Sequence, residues 1–227
     1  MTNAIRFLAI AALTVAGAAH ALSLDALTNK DASGGLKEAL TQGAGKAVAE
    51  LGKADGFFGN PKVKIPLPES LKQVEGVMRT FGMGKQADEL IATMNHAAEA
   101  AVPEAKAMLV NSVKQMSVQD AKGILTGGDD AATQYFKRTT SAPLTEKFRP
   151  IVKKAMQKVK LADKYEQFAG KAAKFGLIKA EDANLENYVT QKALDGLYLM
   201  IAEEEKAIRK DPVSAAGSLA RKVFGTL

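Results

Sequence analysis

The sequence predicts an all-α protein: a single-domain bundle of eight to ten helices with one short extended, strand-like segment at about 61–68. Three observations predict it. Apolar residues recur at helical spacing through most of the chain. Glycine, aspartate and proline stops cut that pattern into helix-length pieces. One stretch alone alternates apolar and polar residues with a period of two.

The elements follow in order. Residues 1–21 read as a secretory signal peptide, with Arg6 at its start, an apolar run from Phe7 to Ala19, and Ala19-His20-Ala21 as a cleavage site before Leu22. The rest, 22–227, is expected to form one helical domain, a size that supports a substantial core. Leu36, Leu40, Ala44, Ala47, Val48 and Leu51 make the first helical stripe, over about 31–53. Asn60 to Pro68 differs, because Val63, Ile65 and Leu67 alternate with Lys62, Lys64 and Pro66. Pro61, Pro66 and Pro68 exclude a helix and a central strand, so an extended edge with one apolar face is expected. It is expected to lie across helices or to pair with a partner strand, within the chain or across a dimer.

From Glu69, Leu71, Val74, Val77, Met78 and Phe81 form one helical face. Helices over about 85–101 and 103–115 come next, the latter with Ala107, Met108, Val110 and Val113 inward. Ser117 to Asp120 resembles a capping box with Asp in place of Glu. Asp129 or Asp130 is expected to cap a helix to about Thr140, and Pro143 to open another to about Lys160. A helix over about 161–175 follows. The last long helix, about 186–209, is apolar on every side from Leu197 to Ala202, which marks a buried helix and the centre of the fold. A short helix ending near Phe224 closes the chain.

Three blocks resemble one family of exported bacterial proteins, domain-of-unknown-function family 4197. They are Asp55 to Pro68 (DGFFGNPKVKIPLP), Leu125 to Phe136 (LTGGDDAATQYF) and Tyr188 to Glu205 (YVTQKALDGLYLMIAEEE). The resemblance covers about 23–224 and implies a helical periplasmic or envelope protein of a Gram-negative bacterium. It assigns no activity, and no catalytic or binding residue carries over from it.

Composition excludes much chemistry. The chain has no Cys, so disulfides, thiol catalysis and thiolate metal sites are absent. It has 2 His, of which His20 lies in the expected signal peptide. A Ser–His hydrolase would need His96 to meet both an acid and an activated Ser, and there is no G-x-S-x-G. His96 and Glu99 share a helix face at i, i+3, near Asp88 and Glu89. That spacing occurs once where carboxylate-bridged metal bundles use it twice, so no metal and no cofactor are expected.

Two regions could bind. Thr190, Gln191 and Asp195 lie within about a turn of one another, flanked by Tyr188 and Tyr198. Gln191, Asp195 and Tyr198, with Tyr135, are the candidate ligand-binding residues. Residues 137–164 carry nine Lys and Arg against Glu146 and Asp163, while 181–205 carry seven acids against Lys192. Lys147, Arg149, Lys153, Lys154 and Lys158 therefore make a candidate basic surface for anionic lipid headgroups, unless the acidic segment neutralises it. Nucleic acid is not expected: the basic stretch has one aromatic, Phe148, and no recognised module. The reading is a non-enzymatic envelope protein that binds a lipid-like or other apolar ligand, or a protein partner. The alternative is an unfamiliar enzyme with a carboxylate/tyrosine site near Asp195.

Overall fold

The computed structural model describes residues 29–82, 84–159, 162, 165 and 184–211. All regular structure among them is helical. The order is α1 (Asn29–Leu51), α2 (Glu69–Thr80), α3 (Gly84–Ala101), a 3₁₀ turn (Val102–Glu104), α4 (Ala105–Gln115), α5 (Val118–Leu125), α6 (Ala131–Met156) and α7 (Leu185–Lys210). The expected signal peptide at 1–21, the expected helix over 161–175 apart from Ala162 and Tyr165, and the expected helix ending near Phe224 lie outside the described residues.

The six apolar residues expected on the inner side of α1 are all buried. So are Leu194, Leu197, Tyr198, Met200 and Ile201 of α7, which packs against α6, α1 and α3. In the apolar run Leu199 reaches solvent, at 42% exposure, and Ala202 does so in part, so α7 is central but not buried all round. Two faces are corrected. Phe81 is 77% exposed, because α2 ends at Thr80 and Phe81 falls in the turn beyond it. α4 buries Ala105, Leu109, Ser112 and Val113 rather than Ala107 and Val110. Its phase follows Ser112, whose hydroxyl meets Thr139 of α6 at 2.7 Å.

The expected break between two helices near Pro143 does not occur. α6 runs unbroken through Pro143 and Pro150. An interior proline costs about 3 kcal/mol or more. Both prolines lie on the exposed side, while Leu144, Phe148 and Val152 are fully buried on the other. Burial of each such side chain contributes about 1.5–3 kcal/mol, enough to hold the helix together. The ends also differ from expectation. The Ser117–Asp120 capping box forms as read, and bonds from Ser117, with Arg138 beyond, hold the Asp120 carboxyl below its ordinary pKa. Asp130, however, gives α6 no side-chain cap. Glu205 of α7 does so from across the bundle. Its carboxylate accepts the Ala132 and Thr133 amides, each at 2.9 Å, and the Thr133 hydroxyl at 2.9 Å.

In segment 61–68 the burial alternates as expected, with Val63, Ile65 and Leu67 buried and Lys62, Lys64 and Pro66 exposed, but 61–63 form a turn in which the Val63 and Lys64 amides donate to the Asn60 carbonyl, and 64–68 have no regular structure. It is not a strand. Side chains hold it: Asn95 of α3 accepts the Ile65 N–H at 2.8 Å and donates to the Ile65 carbonyl at 2.9 Å, and Tyr188 of α7 donates to the Pro66 carbonyl at 3.1 Å. One turn on, Glu99 accepts the Phe57 and Phe58 amides, each at 3.0 Å. Asn95 and Glu99 thus do for this loop what a neighbouring strand would do. Gly196 of α7 makes room for it, since a Cβ there would lie 2.7 Å from the Phe57 ring. It is the loop, through Phe57 and Val63, that approaches α7 closely at this glycine.

Candidate functional site

The four candidate ligand residues do not meet at one point. Tyr198 is 3% exposed, and its hydroxyl is bonded to Thr140 at 2.8 Å and accepts from Ser141 at 3.2 Å. Burial pushes its pKa up, and those two bonds oppose the shift only in part, so the phenol stays protonated near neutral pH. Gln191 is exposed and donates to Asp195 at 2.9 Å, and Lys192 stands 3.8 Å from the same carboxylate. Tyr135 faces α4, donating to the Ser112 carbonyl at 2.8 Å with Arg138 over its ring. It lines a separate polar cleft of about 580 Å³ with Ser112, Asp120 and Arg138.

The basic residues are better placed. Lys147, Lys153, Lys154 and Lys158 are exposed and have no ion pair among the described residues. Lys160, Asp163 and Lys164 lie outside them. Of the acids of α7, Glu186 makes no ion pair among the described residues and the other four are engaged elsewhere, Asp195 beside Lys192. Glu203 pairs with Lys62, which holds its carboxyl below the ordinary value; Glu204 pairs with Lys46 at 2.8 Å, and Glu205 with Arg209 at 3.0 Å. None of these pairs joins α7 to the lysines of α6, although the two helices are packed together. The end of α6 is therefore a cationic surface, opposed locally by Glu146, which takes one weak contact from Arg149 at 3.4 Å.

Beside that surface, α6 and α7 line an open cleft of about 370 Å³. Thr145 and Arg149 line one side, and Asn187, Thr190, Gln191 and Lys192 the other. Two buried atoms here have no hydrogen-bond partner, Thr190 Oγ1 and Arg149 Nε. Thr190 is 2% exposed. Sequence reasoning had both residues in view, Thr190 in the polar set and Arg149 in the basic stretch. It had no way to join them, because the register between two helices is invisible in one sequence.

A third grouping lies at the clamped loop. Donor atoms of Asp55, His96 and Glu99 lie within 4.8 Å of one another. His96 Nε2 is 3.8 Å from Asp55, and its ring stands edge-on to Phe58. Glu99 spends Oε1 on the two loop amides, and Asp55 sits at the loop's corner with φ of 59°. The arrangement closes the loop onto α3. Asp88, expected near His96, is drawn instead to Arg79 at 2.6 Å, which holds its carboxyl below the ordinary value.

Among the described residues no helix is long and apolar enough to cross a membrane. No curated protein and no solved structure matches the chain. One family model does, over residues 26–225, and it spans both the clamped loop and the two helices of the cleft. The chain thus belongs to the family described as protein of unknown function, DUF4197.

Proposed function

We propose that this protein is a non-enzymatic component of the Gram-negative envelope, exported to the periplasm, that binds anionic lipid-like molecules by their headgroups. The observation that carries the reading is the lysine-rich end of α6, which the acids of α7 leave unneutralised. Each Lys near an anionic membrane surface contributes roughly 1 kcal/mol of attraction. Binding by the headgroup is favoured over burial of an acyl chain. The apolar space between α1, α6 and α7 is about 10 Å³, far too small for a chain. A protein partner joining segment 61–68 by strand addition has less support, because Asn95 already occupies both backbone groups of Ile65. The enzyme alternative has less support too, since Asp195 is exposed and Tyr198 is bonded into the α6 interface.

Vesicle flotation tests the reading. The protein is expected to float with phosphatidylglycerol vesicles and not with phosphatidylcholine vesicles. Roughly 0.5 M salt should release it, because the Debye length falls to a few ångströms. Changing Lys147, Lys153, Lys154 and Lys158 to Glu should abolish flotation while the helical circular dichroism is unchanged. Equal flotation on both lipids, flotation on neither, or flotation of the charge-reversed variant would overturn it.

A further inference from the structure

We propose that the α6–α7 cleft is a binding site for a phosphate group, with Arg149 and Thr190 as its specific donors. The inference deepens the headgroup reading above and rests on it where Arg149 belongs to both. Its own ground is the pairing pattern of buried polar atoms. Native structures leave few such atoms unpaired, and each asks for a reason. Among the described residues two side-chain atoms are in this state, and both belong to residues lining the same cleft.

Thr190 is unusual among the buried threonines of this protein. Thr140 bonds back to the Phe136 carbonyl, as the less buried Thr80, Thr139 and Thr145 do to Gly76, Tyr135 and Ser141, while the half-buried Thr41 and Thr93 make no such bond. The buried Thr133 hydroxyl is bonded to Glu205. Thr190 does neither, so its buried hydroxyl is unpartnered in a residue that lines the cleft.

Arg149 completes the case. Among the described residues its guanidinium has one hydrogen bond, Nη1 to Glu146 at 3.4 Å, which is long for a charge-assisted bond. Its Nε and Nη2 form the edge that matches two oxygens of one anion. Lys192 lines the opposite wall and adds positive charge, although Asp195 stands 3.8 Å from it. Asn187 and Gln191 supply amide groups suited to hydroxyls next to the phosphate. The volume, about 370 Å³, is in the range of small-ligand sites. Donors of fixed geometry with a cationic rim select a phosphate, either of a free metabolite or of a lipid headgroup.

The test uses glycerol 3-phosphate and phosphatidylglycerol vesicles as separate probes on the whole protein. Thr190→Val removes only the hydroxyl, and Arg149→Lys keeps the charge but loses the planar edge. Thr190→Val should melt at the same temperature as the wild type or higher, since it removes an unpaired buried group. Saturable calorimetric binding of glycerol 3-phosphate, weakened roughly tenfold in each variant as one lost charge-assisted bond implies, assigns a soluble ligand. Vesicle binding weakened by both variants, with no binding of glycerol 3-phosphate, assigns a lipid headgroup. Two results overturn the proposal: neither probe binding the wild type, or both variants binding as the wild type does. The second result, with binding still lost on lysine reversal, would leave the surface reading intact and remove the cleft.

Discussion

Glu205→Ala is expected to destabilise the fold by about 3–5 kcal/mol, the range for breaking a buried ion pair from one side. The side chain is 5% exposed and accepts three hydrogen bonds at the first turn of α6. Two of those donors are amides of a helix start, which have no partner within the helix, and the helix dipole also favours a negative charge there. The same carboxylate pairs with Arg209, whose guanidinium also donates to the Ile124 carbonyl at 2.9 Å near the end of α5. One carboxylate therefore ties α7 to α6 directly and to α5 through Arg209. Glu205→Gln keeps the shape but loses the charge and one acceptor, and about 1–3 kcal/mol should go with it. Urea unfolding measures both. A loss under about 1 kcal/mol in the alanine variant would show that the α6 start finds other partners, against the ordinary cost of orphaned groups.

Asn95→Leu should have the second largest effect, about 2–4 kcal/mol, on the basis of two buried backbone groups left unpaired at about 1–3 kcal/mol each. Asn95 is fully buried, and its amide serves Ile65 N–H, Ile65 C=O and the Ile91 carbonyl. The leucine is close in size, so the loss reports hydrogen bonds rather than volume. Amide exchange localises it. The Ile65 N–H should change from protected to fast, while the core of α7 keeps its protection. Unchanged exchange at Ile65 would contradict the loop clamp described here.

These two residues mark where the sequence stops being readable. Helix existence was legible because apolar spacing is local: α1, α3 and α7 lie within two residues of their expected bounds. The alternation at 62–67 gave the correct inner and outer faces for Val63, Ile65 and Leu67. It could not name a partner, because a strand and a single buried amide satisfy the same backbone groups. Glu205 belonged to a run of three acids that resembles a solvated helix end. Its role needs the α6 start to arrive beside it, from 72 and 73 positions away in the chain. The continuity of α6 through Pro143 was hidden for a related reason. The burial that outweighs a proline is tertiary, while the proline itself is in plain view. At the candidate site, Gln191 and Arg149 lie on one cleft, whereas Tyr135 and Tyr198 proved to be bonded into helix interfaces.

The most direct test of the central claim, a binding protein for anionic headgroups and not an enzyme, is mass spectrometry of the protein itself. It would be expressed with its own N-terminal segment, purified without detergent, and weighed first native and then denatured. The account predicts a non-covalent, phosphate-bearing adduct in the native spectrum that leaves unchanged on denaturation. A bare chain in the native spectrum, or an adduct that survives denaturation as a covalent species, would contradict it.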